Sequence, residues 1–388
     1  MRRLQMGEFM TEKDFRNHPD GTVSRRSLLQ SSAALLSLPL VAHATFAFAR
    51  EKLAGTGEVV VYSYGGSFTE KLRKSVFDPF TKATGIKVVD VTADLAEPQI
   101  KAMSAAKRVD WDAAIVTSQG YPELREAGMF MPIDYSLWDE EAQKGVPEFA
   151  RLTDGVVAFQ NATMLIYDQR AFPNGGPKSW ADFWNVKQFP GPRGLDASLG
   201  YRSMVFALIA DGVAHKEIWP LTDNKIERAL KKLDEIKPHI TKWWTAGGEP
   251  MQLLINREYA LTSAFDGRAL AAVQQGQPVR MVWDGANVGD NYWVVLKGGP
   301  NSANAQKFIA YVNRAEIAAA FTQGVGYPSP NTNQLKYLPA ELIPLISISP
   351  DNAAKTVRLD AAWFSAKRSD GKTNADHIQE RWLAWRAR

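Results

Sequence analysis

Residues 58–67 of the chain read EVVVYSYGGS, and this stretch sets the pattern for the whole molecule. Its uninterrupted apolar and β-branched part is typical of a strand that is buried on both faces of a sheet. Apolar residues at helical spacing over residues 68–83 then predict a helix, and a Thr-Gly pair ends it before a second strand at residues 86–91. This order predicts a strand–helix–strand unit of a parallel α/β sheet.

The same alternation of helices and strands continues along the chain. A predicted helix at residues 97–106 precedes a buried strand at 111–117, and two short strand-like runs follow within 156–167. Further on, three more strands are predicted, at residues 259–264, 279–283 and 292–296. A parallel sheet with helices on its faces follows from this arrangement.

The composition shifts after a Pro/Gly-rich segment at residues 172–178, and a second series of helices and strands begins there. The series ends in a predicted helix at residues 375–387, which has Ile378, Trp382 and Trp385 on one face. That apolar face predicts that the helix packs against the body of the protein. The length of the chain and this shift in composition predict two α/β units.

Composition excludes several classes of protein. The chain has 388 residues, a formal net charge of +4 and no cysteine. Without cysteine there are no disulfides, no thiolate metal ligands and no cysteine nucleophile. Lys and Arg are interspersed with Asp and Glu, without a basic run that would follow a phosphate backbone. Nucleic acid is therefore not expected as a partner.

The beginning of the chain has the features of an export signal. Residues 24–29 read SRRSLL, and an uncharged run at 30–49 follows and ends in AFA. The arginine pair, the apolar run and the small-residue ending occur in the order of a cleaved leader, and the pair resembles bacterial twin-arginine signals. A membrane anchor is the alternative, but Gln, Ser, Pro and His make this run too polar. We expect a twin-arginine signal peptide at residues 1–49, no membrane span after it, and a mature protein in the periplasm.

Sequence motifs of catalysis are absent. The chain contains no H-E-x-x-H, no G-x-S-x-G, no G-x-x-x-x-G-K-[ST] and no G-x-G-x-x-G pattern. After the leader the histidines are His215, His239 and His377, and none has a neighbour at metal-ligand spacing. We therefore expect a protein that is not an enzyme, with no catalytic residue, no metal and no cofactor.

Polar residues and glycines follow two of the predicted strands directly. A strand that runs into Gly-Gly-Ser and then a helix brings backbone N–H groups and a hydroxyl to the carboxyl edge of a parallel sheet, where open α/β folds bind ligands. The alternative is that the serine caps the helix and the glycines only make the turn. The candidate binding residues at these two strand ends are Tyr64, Gly65, Gly66, Ser67, Ser118 and Gln119.

Short motifs over residues 58–388 resemble those of one family in their order and spacing. The motifs are VVYSYGGS at 60–67, TGIKV at 84–88, ALIADGV at 207–213, IKPHI at 236–240, WW at 243–244, FDGR at 265–268, DNYWVV at 290–295, KG at 297–298, NAQKFI at 304–309 and GYPSPN at 326–331. The chain resembles the periplasmic solute-binding proteins of ABC importers, in their spermidine/putrescine-binding-like branch. None of the motifs is specific when it stands alone.

This resemblance implies a two-lobed α/β fold of the periplasmic-binding-protein type, similar to type II. Two Rossmann-like lobes would be joined by a hinge of two crossing segments, near residues 156–167 and 283–292, and would close on a ligand held between them. Closure removes the ligand from water. The implied lobes are residues 50–160 plus 288–330 for lobe 1, and 161–287 plus 331–388 for lobe 2.

The resemblance also implies which residues face the ligand. Polyamine binders hold protonated amines with carboxylates and pack methylene groups between aromatic rings. Asp290 matches the position of an amine-binding aspartate, whereas Val288 replaces a tryptophan of that branch, and Arg202 stands where those proteins offer acidic groups. An arginine in the cleft would favour a carboxylate or a phosphate. The remaining candidates are Tyr201, Trp244, Phe265, Asp266 and Tyr327.

The function implied is that of a monomeric substrate-binding component of an ABC transporter. It would capture a small nitrogen-containing solute, a polyamine or a related amino-acid-like compound, and deliver it to an inner-membrane permease. A ligand-loaded sensor component that docks on a signalling receptor would use the same fold. A secreted two-lobed enzyme is the third alternative, which the absence of a nucleophile, base or metal set makes the least favoured.

Overall fold

The computed structural model describes residues 52–93 and 95–388. The leader predicted at residues 1–49 lies outside the described residues and stays a prediction. Within the described part of the chain, no helix is both long enough and apolar enough to cross a membrane.

A single mixed sheet of nine strands organises the described residues. Its strand order is β2-β1-β3-β8-β4-β7-β5-β6, and β9 pairs with β8. The strands are β1 (Glu58–Ser63), β2 (Lys87–Thr92), β3 (Ala113–Val116), β4 (Val156–Asp168), β5 (Arg193–Asp196), β6 (Ile240–Trp244), β7 (Leu261–Phe265), β8 (Val279–Val295) and β9 (Val357–Arg358).

Helices connect these strands and cover the sheet. In the described residues the α-helices are α1 (Gly66–Leu72), α2 (Asp78–Thr84), α3 (Ala96–Ala105), α4 (Tyr121–Glu126), α5 (Glu140–Gly145), α6 (Trp180–Trp184), α7 (Gly200–Ala210), α8 (Asp223–Ile236), α9 (Glu249–Ile255), α10 (Asp266–Gln274), α11 (Ser302–Val312), α12 (Ala315–Val325), α13 (Pro350–Ala353), α14 (Ala361–Ser365) and α15 (Asn374–Arg386).

The first unit has the predicted form, with one difference. β1 and β2 are parallel and paired along their whole length. The helix predicted at residues 68–83 consists of α1 and α2, which a π-helical turn at Arg73–Phe77 joins. Gly85 ends α2 in the left-handed region at φ 82°, where glycine has no steric penalty.

Two long antiparallel strands, β4 and β8, run through the middle of the sheet. Their pairing extends from Val156 opposite Trp293 to Asp168 opposite Val279. The sequence predicted two short runs at residues 156–167 and separate strands at 279–283 and 292–296, but each region is one continuous strand. The backbone ladder persists through the polar residues at mid-strand because hydrogen bonding of the backbone does not depend on side-chain character.

Buried apolar residues form separate cores on the two halves of these long strands. The first core is built from residues 53–159 and 292–325, and packs around β1, β3, α11 and α12. The second contains Leu165, the buried face of α7 and α8, and the predicted face of α15. A third lies on the other side of the same half, from Ala162 to Val288. The polypeptide passes from the first core to the others at the middle of β4 and β8.

The final helix packs as its periodicity predicts. Thr373 and Asp376 form a reciprocal capping box at the start of α15. Trp382 and Trp385 are buried, with ring centroids 5.1 Å apart. A Cβ atom on Gly200 would lie 2.3 Å from the Trp382 side chain, so only glycine lets α7 approach α15 this closely.

Candidate functional site

The turn after β1 is made by two glycines. Gly65 and Gly66 have φ values of 78° and 52°, in the region that favours glycine. Gly65 is the N-cap of α1, and its N–H donates to Thr69 Oγ1 at 2.9 Å. No side chain caps this helix, and Ser67 is exposed. The alternative in which Ser67 serves only as the cap therefore does not occur.

Tyr64 leads from β1 toward the two long strands. Its hydroxyl donates to Asn291 Oδ1 on β8 at 3.3 Å, and its ring packs edge-on against Phe68 with centroids 5.3 Å apart. Burial raises the pKa of Tyr64 well above its ordinary value, and the neighbouring charge of Glu97 raises it further. Tyr64 therefore remains a neutral hydrogen-bond donor at any physiological pH.

The end of β3 brings polar groups to the same edge. Glu97 Oε1 accepts from both the N–H and the hydroxyl of Thr117, each at 2.7 Å. Ser118 is buried, whereas Gln119 is partly exposed. A Cβ atom on Gly289 would lie 3.4 Å from Ser118 Oγ, so Ser118 faces the middle of β8.

Asparagines on the long strands line the face toward Tyr64 and Ser118. Asn291 Nδ2 donates to Asn161 Oδ1 at 3.0 Å, which joins β8 to β4 through side chains as well as backbone. Because successive side chains of a strand point to opposite faces, Asn161 and Asn291 lie on one face, and Gln160 and Asp290 lie on the other.

Asp290 is not brought together with the other candidate residues. Both oxygens of its buried carboxylate accept from Nη1 of Arg358, at 2.5 Å. The amide oxygen of Gln160 also accepts from Arg358 Nη2, at 2.7 Å. The Arg358 guanidinium carbon in turn lies 4.2 Å from the centroid of the Phe149 ring. Asp290 thus has a cationic partner within the chain, which the sequence did not indicate.

Arg202 is held on the other half of the sheet by a residue that the sequence analysis missed. Its Nη1 donates to Asp196 Oδ2 at 2.7 Å, and the side chains of Arg202 and Asp196 are 11% and 0% exposed. Asp196 also accepts from the backbone N–H of Ser198 at 2.7 Å. The Arg202 guanidinium carbon lies 5.0 Å from the centroid of the Phe265 ring, within cation–π range.

Trp244 and Tyr201 support this arrangement from within the core. Trp244 is buried; its Nε1 donates to Ser263 Oγ at 3.2 Å, and its ring meets the edge of Phe265 with centroids 5.7 Å apart. Tyr201 is also buried and packs edge-on against Phe364 at 5.0 Å. Phe265, by contrast, is only partly buried.

Asp266 is a buried carboxyl at the start of α10. It accepts from the backbone N–H of Ala162 on β4 at 2.9 Å, so it ties α10 to a long strand. Burial raises the pKa of Asp266 to about 7, although backbone N–H groups, including that of Gly267, oppose the shift. Its position is that of a structural link rather than of a ligand-facing group.

Tyr327 connects the first core to α10. Its ring stacks on Phe159 with centroids 5.3 Å apart. A Cβ atom on Gly267 would lie 2.6 Å from the Tyr327 ring, so this ring rests directly on the backbone of α10. Burial raises the pKa of Tyr327 to about 12, helped by the charge of Asp266.

Two half-sites therefore meet at the long strands. One presents the Gly-Gly-Ser turn, Tyr64, Ser118 and Tyr327, and the other presents Arg202 against Phe265. Asp196, Asn161 and Asn291 belong with them but were not predicted. Asp196 was recognisable, because it ends a strand, β5, just as Tyr64 follows the end of β1; the asparagine pair, 130 residues apart, was not. Among the described residues no group of acidic and histidine side chains could hold a metal ion.

Comparison with known proteins identifies the family. Residues 75–341 match the family described as bacterial extracellular solute-binding proteins. This chain belongs to that family. It is 31% identical over 347 residues to the γ-aminobutyric acid-binding protein of Pseudomonas aeruginosa, with 88% of this chain and 94% of that protein covered.

Two further relatives extend the comparison. The spermidine/putrescine-binding periplasmic protein of Escherichia coli is 24% identical over 305 residues, with 76% of this chain and 84% of that protein covered. The crystal structure of an ABC transporter from Rhodopseudomonas palustris is 32% identical, with a TM-score of 0.69, and the match covers 84% of this chain and 99% of that one. The predicted two-lobed fold is thereby confirmed, and the protein is the substrate-binding component of an ABC importer.

Proposed function

We propose that this protein captures a small zwitterionic amino acid of the γ-aminobutyric acid type between its two half-sites and delivers it to the permease of its importer. The observation that carries the proposal is the guanidinium of Arg202, held beside Phe265 by Asp196. This arrangement suits a ligand that carries a carboxylate, which a polyamine lacks.

Arg202 is suited to bind a carboxylate in three respects. One nitrogen donates to Asp196, which sets the orientation of the planar group, and the Tyr201 hydroxyl is a further hydrogen-bond partner beside it. The side chain is 11% exposed, so an incoming anion would meet it in a partly desolvated setting. Charge-assisted hydrogen bonds to a guanidinium fork are strong and directional.

The opposite half-site is suited to the ammonium end of the ligand. Tyr64 and Tyr327 offer aromatic rings, whose faces attract cations. The carboxylate of Glu97 lies close enough to Tyr64 to raise its pKa. Asp290, which a polyamine would need, is already paired with Arg358. The greater similarity to a γ-aminobutyric acid-binding protein than to a polyamine-binding protein also supports a zwitterionic ligand.

Location and organisation complete the proposal. We infer that residues 1–49 are a twin-arginine signal peptide, that the mature protein works in the periplasm as a monomer, and that it binds its ligand without converting it. We also propose residues 50–160 plus 288–330 as lobe 1, and 161–287 plus 331–388 as lobe 2. The passage from one core to the others at the middle of β4 and β8 supports this division.

Isothermal titration of the purified protein tests the ligand class. The probes are γ-aminobutyric acid, butylamine, which lacks the carboxylate, butyrate, which lacks the ammonium group, and putrescine, which has two ammonium groups. The expected result is that γ-aminobutyric acid binds most tightly, because it alone satisfies both half-sites. Tighter binding of putrescine or butylamine would overturn the proposal.

A further inference from the structure

A second groove lies at the far end of β4 and β8 from the candidate site. It has a volume of about 480 Å³, and its lining includes Tyr167 on β4, Arg280 and Trp283 on β8, and the lysines Lys178 and Lys355. Tyr167 and Arg280 are directly opposite each other in the strand pairing. Three different segments of the chain therefore contribute cations to one groove.

The positive charge of this groove is only partly balanced by a carboxylate. Lys178, Arg280 and Lys355 are exposed and form no ion pair with an acidic side chain among the described residues. Asp284 also lines the groove, and lies 3.9 Å from Nε2 of His215. With three cations and one acid, the lining has an excess of positive charge and attracts anions.

A buried donor in the wall of the groove lacks an acceptor. Trp283 is 7% exposed, and its Nε1–H has no hydrogen-bond partner among the residues that the structure describes. A buried N–H without an acceptor is unfavourable, and such groups in native proteins are rare enough to require an explanation. Trp283 therefore places a buried indole, whose fluorescence can be followed, in the wall of the groove.

We propose that this groove binds a phosphate monoester of a small polar molecule. A phosphate offers more acceptor oxygens than a carboxylate, and so matches a lining with three cations better. The volume falls in the range of small-molecule sites and exceeds what a free phosphate needs. The rings of Tyr167 and Trp283 supply apolar surface for the organic part of the ligand.

The second groove is separate from the site of the proposed function. Along β4, Thr163 pairs with Phe265 at the candidate site, and Tyr167 pairs with Leu261 at the groove. Four residues of extended strand span about 13 Å. Occupation of the groove therefore does not require ligand at Arg202, and the two proposals fail or succeed independently.

Titration with adenosine monophosphate at low ionic strength tests the proposal, with the intrinsic fluorescence of Trp283 as the signal. Trp283→Phe provides the background from the other tryptophans. The expected result is saturable binding that produces a fluorescence change absent from Trp283→Phe. Arg280→Ala and Lys355→Ala should each weaken the affinity at least tenfold, whereas Lys231→Ala, which removes an exposed lysine of α8, should leave it unchanged.

Further arms separate the possible sources of the phosphate. Inorganic phosphate should compete with adenosine monophosphate, and the affinity for γ-aminobutyric acid should be equal in wild type and Arg280→Ala. No saturable binding of either phosphate compound would overturn the proposal, as would equal losses in Lys231→Ala and Arg280→Ala. Binding only to phosphatidylglycerol vesicles, with loss in Arg280→Ala, would assign the groove to a membrane surface and overturn it as well.

Discussion

The guanidinium of Arg358 binds both carboxylate oxygens of Asp290 at the middle of β8, 68 residues away in the chain. Arg358 follows Val357 of the second core, whereas Phe149, on which it stacks, precedes Ala150 of the first core. The Arg358 side chain thus links the middle of β8 to Phe149. The carboxylate of Asp290 therefore has its cationic partner within the chain.

Removal of Arg358 should destabilise the protein through the carboxylate that remains. Breaking a buried ion pair costs roughly 3–5 kcal/mol, and because the Arg358 side chain is 37% exposed, we expect about 1–3 kcal/mol for Arg358→Ala. Urea unfolding measures this loss. The double variant Asp290→Asn with Arg358→Ala should recover part of it, because no buried charge is left unpaired. Equal losses in the single and double variants would contradict this explanation.

Loss of the Arg202 charge should weaken binding of γ-aminobutyric acid without a comparable effect on butylamine. A hydrogen bond to a charged group contributes roughly 1.5–3 kcal/mol, so Arg202→Ala should reduce the affinity for γ-aminobutyric acid at least about tenfold. Calorimetric titration measures both ligands. Arg228→Ala, which removes an exposed arginine paired with Asp211, is the matched control and should bind as wild type does. Parallel losses for the two ligands would indicate a structural role for Arg202.

Stability should fall between about pH 4 and pH 7 because of Asp266. Its pKa is about 7 in the folded protein and has an ordinary value of 3.8, so the folded state binds the proton more tightly than the unfolded state. The stabilisation is present in full below the lower pKa and is lost as the pH rises through the higher one. The free energy of unfolding then falls by on the order of a few kcal/mol.

Asp266→Asn tests this dependence, because the amide oxygen still accepts from Ala162 and the side chain no longer ionises. The free energy of unfolding is measured by denaturant titration at a series of pH values. We expect a flatter profile for the variant and greater stability than wild type at pH 8. Profiles that run parallel over the whole range would exclude Asp266 as their cause.

Gly267→Ala should weaken ligand binding by displacing Tyr327. The added Cβ would lie 2.6 Å from the Tyr327 ring, which must then move from its stacked position on Phe159. Alanine favours a helix over glycine by about 1 kcal/mol, so the overall stability should change little. Titration with γ-aminobutyric acid and thermal unfolding measure the two effects.

Gly248→Ala is the control for this substitution, because a Cβ atom there has nothing within 4 Å. It should bind γ-aminobutyric acid with wild-type affinity. Retention of that affinity by Gly267→Ala would show that the position of Tyr327 does not matter for the ligand.

Replacement of Arg25 and Arg26 by lysines should block export and leave folding intact, since a receptor reads the pair before the leader is removed. Immunoblots of periplasmic and cytoplasmic fractions measure the location and the size of the product. Lysines in place of Arg2 and Arg3 form the matched control, which should be exported normally. Processed protein in the periplasm of the Arg25 and Arg26 variant would refute a twin-arginine leader.

Local patterns of residues were enough to predict several elements and much of one half-site. The β-branched run of β1, the glycines that follow it and the apolar face of α15 predicted structure correctly, because strand burial, positive φ and helical periodicity are properties of adjacent residues. The same rule placed Tyr64 and Ser118 at strand ends. The same rule could have identified Asp196, because that residue also ends a strand.

The partners of these residues, by contrast, depend on how distant strands pair. Asn161 and Asn291 meet because β4 and β8 pair in one register, and a shift by one residue between these strands would place the two side chains on opposite faces. Asp290 forms its ion pair with Arg358 because β9, which contains Arg358, pairs with β8 next to Asp290. Such contacts depend on the pairing of strands far apart in the chain, which no local pattern of residues specifies. They determine whether a charged side chain is available to a ligand or forms an ion pair within the fold.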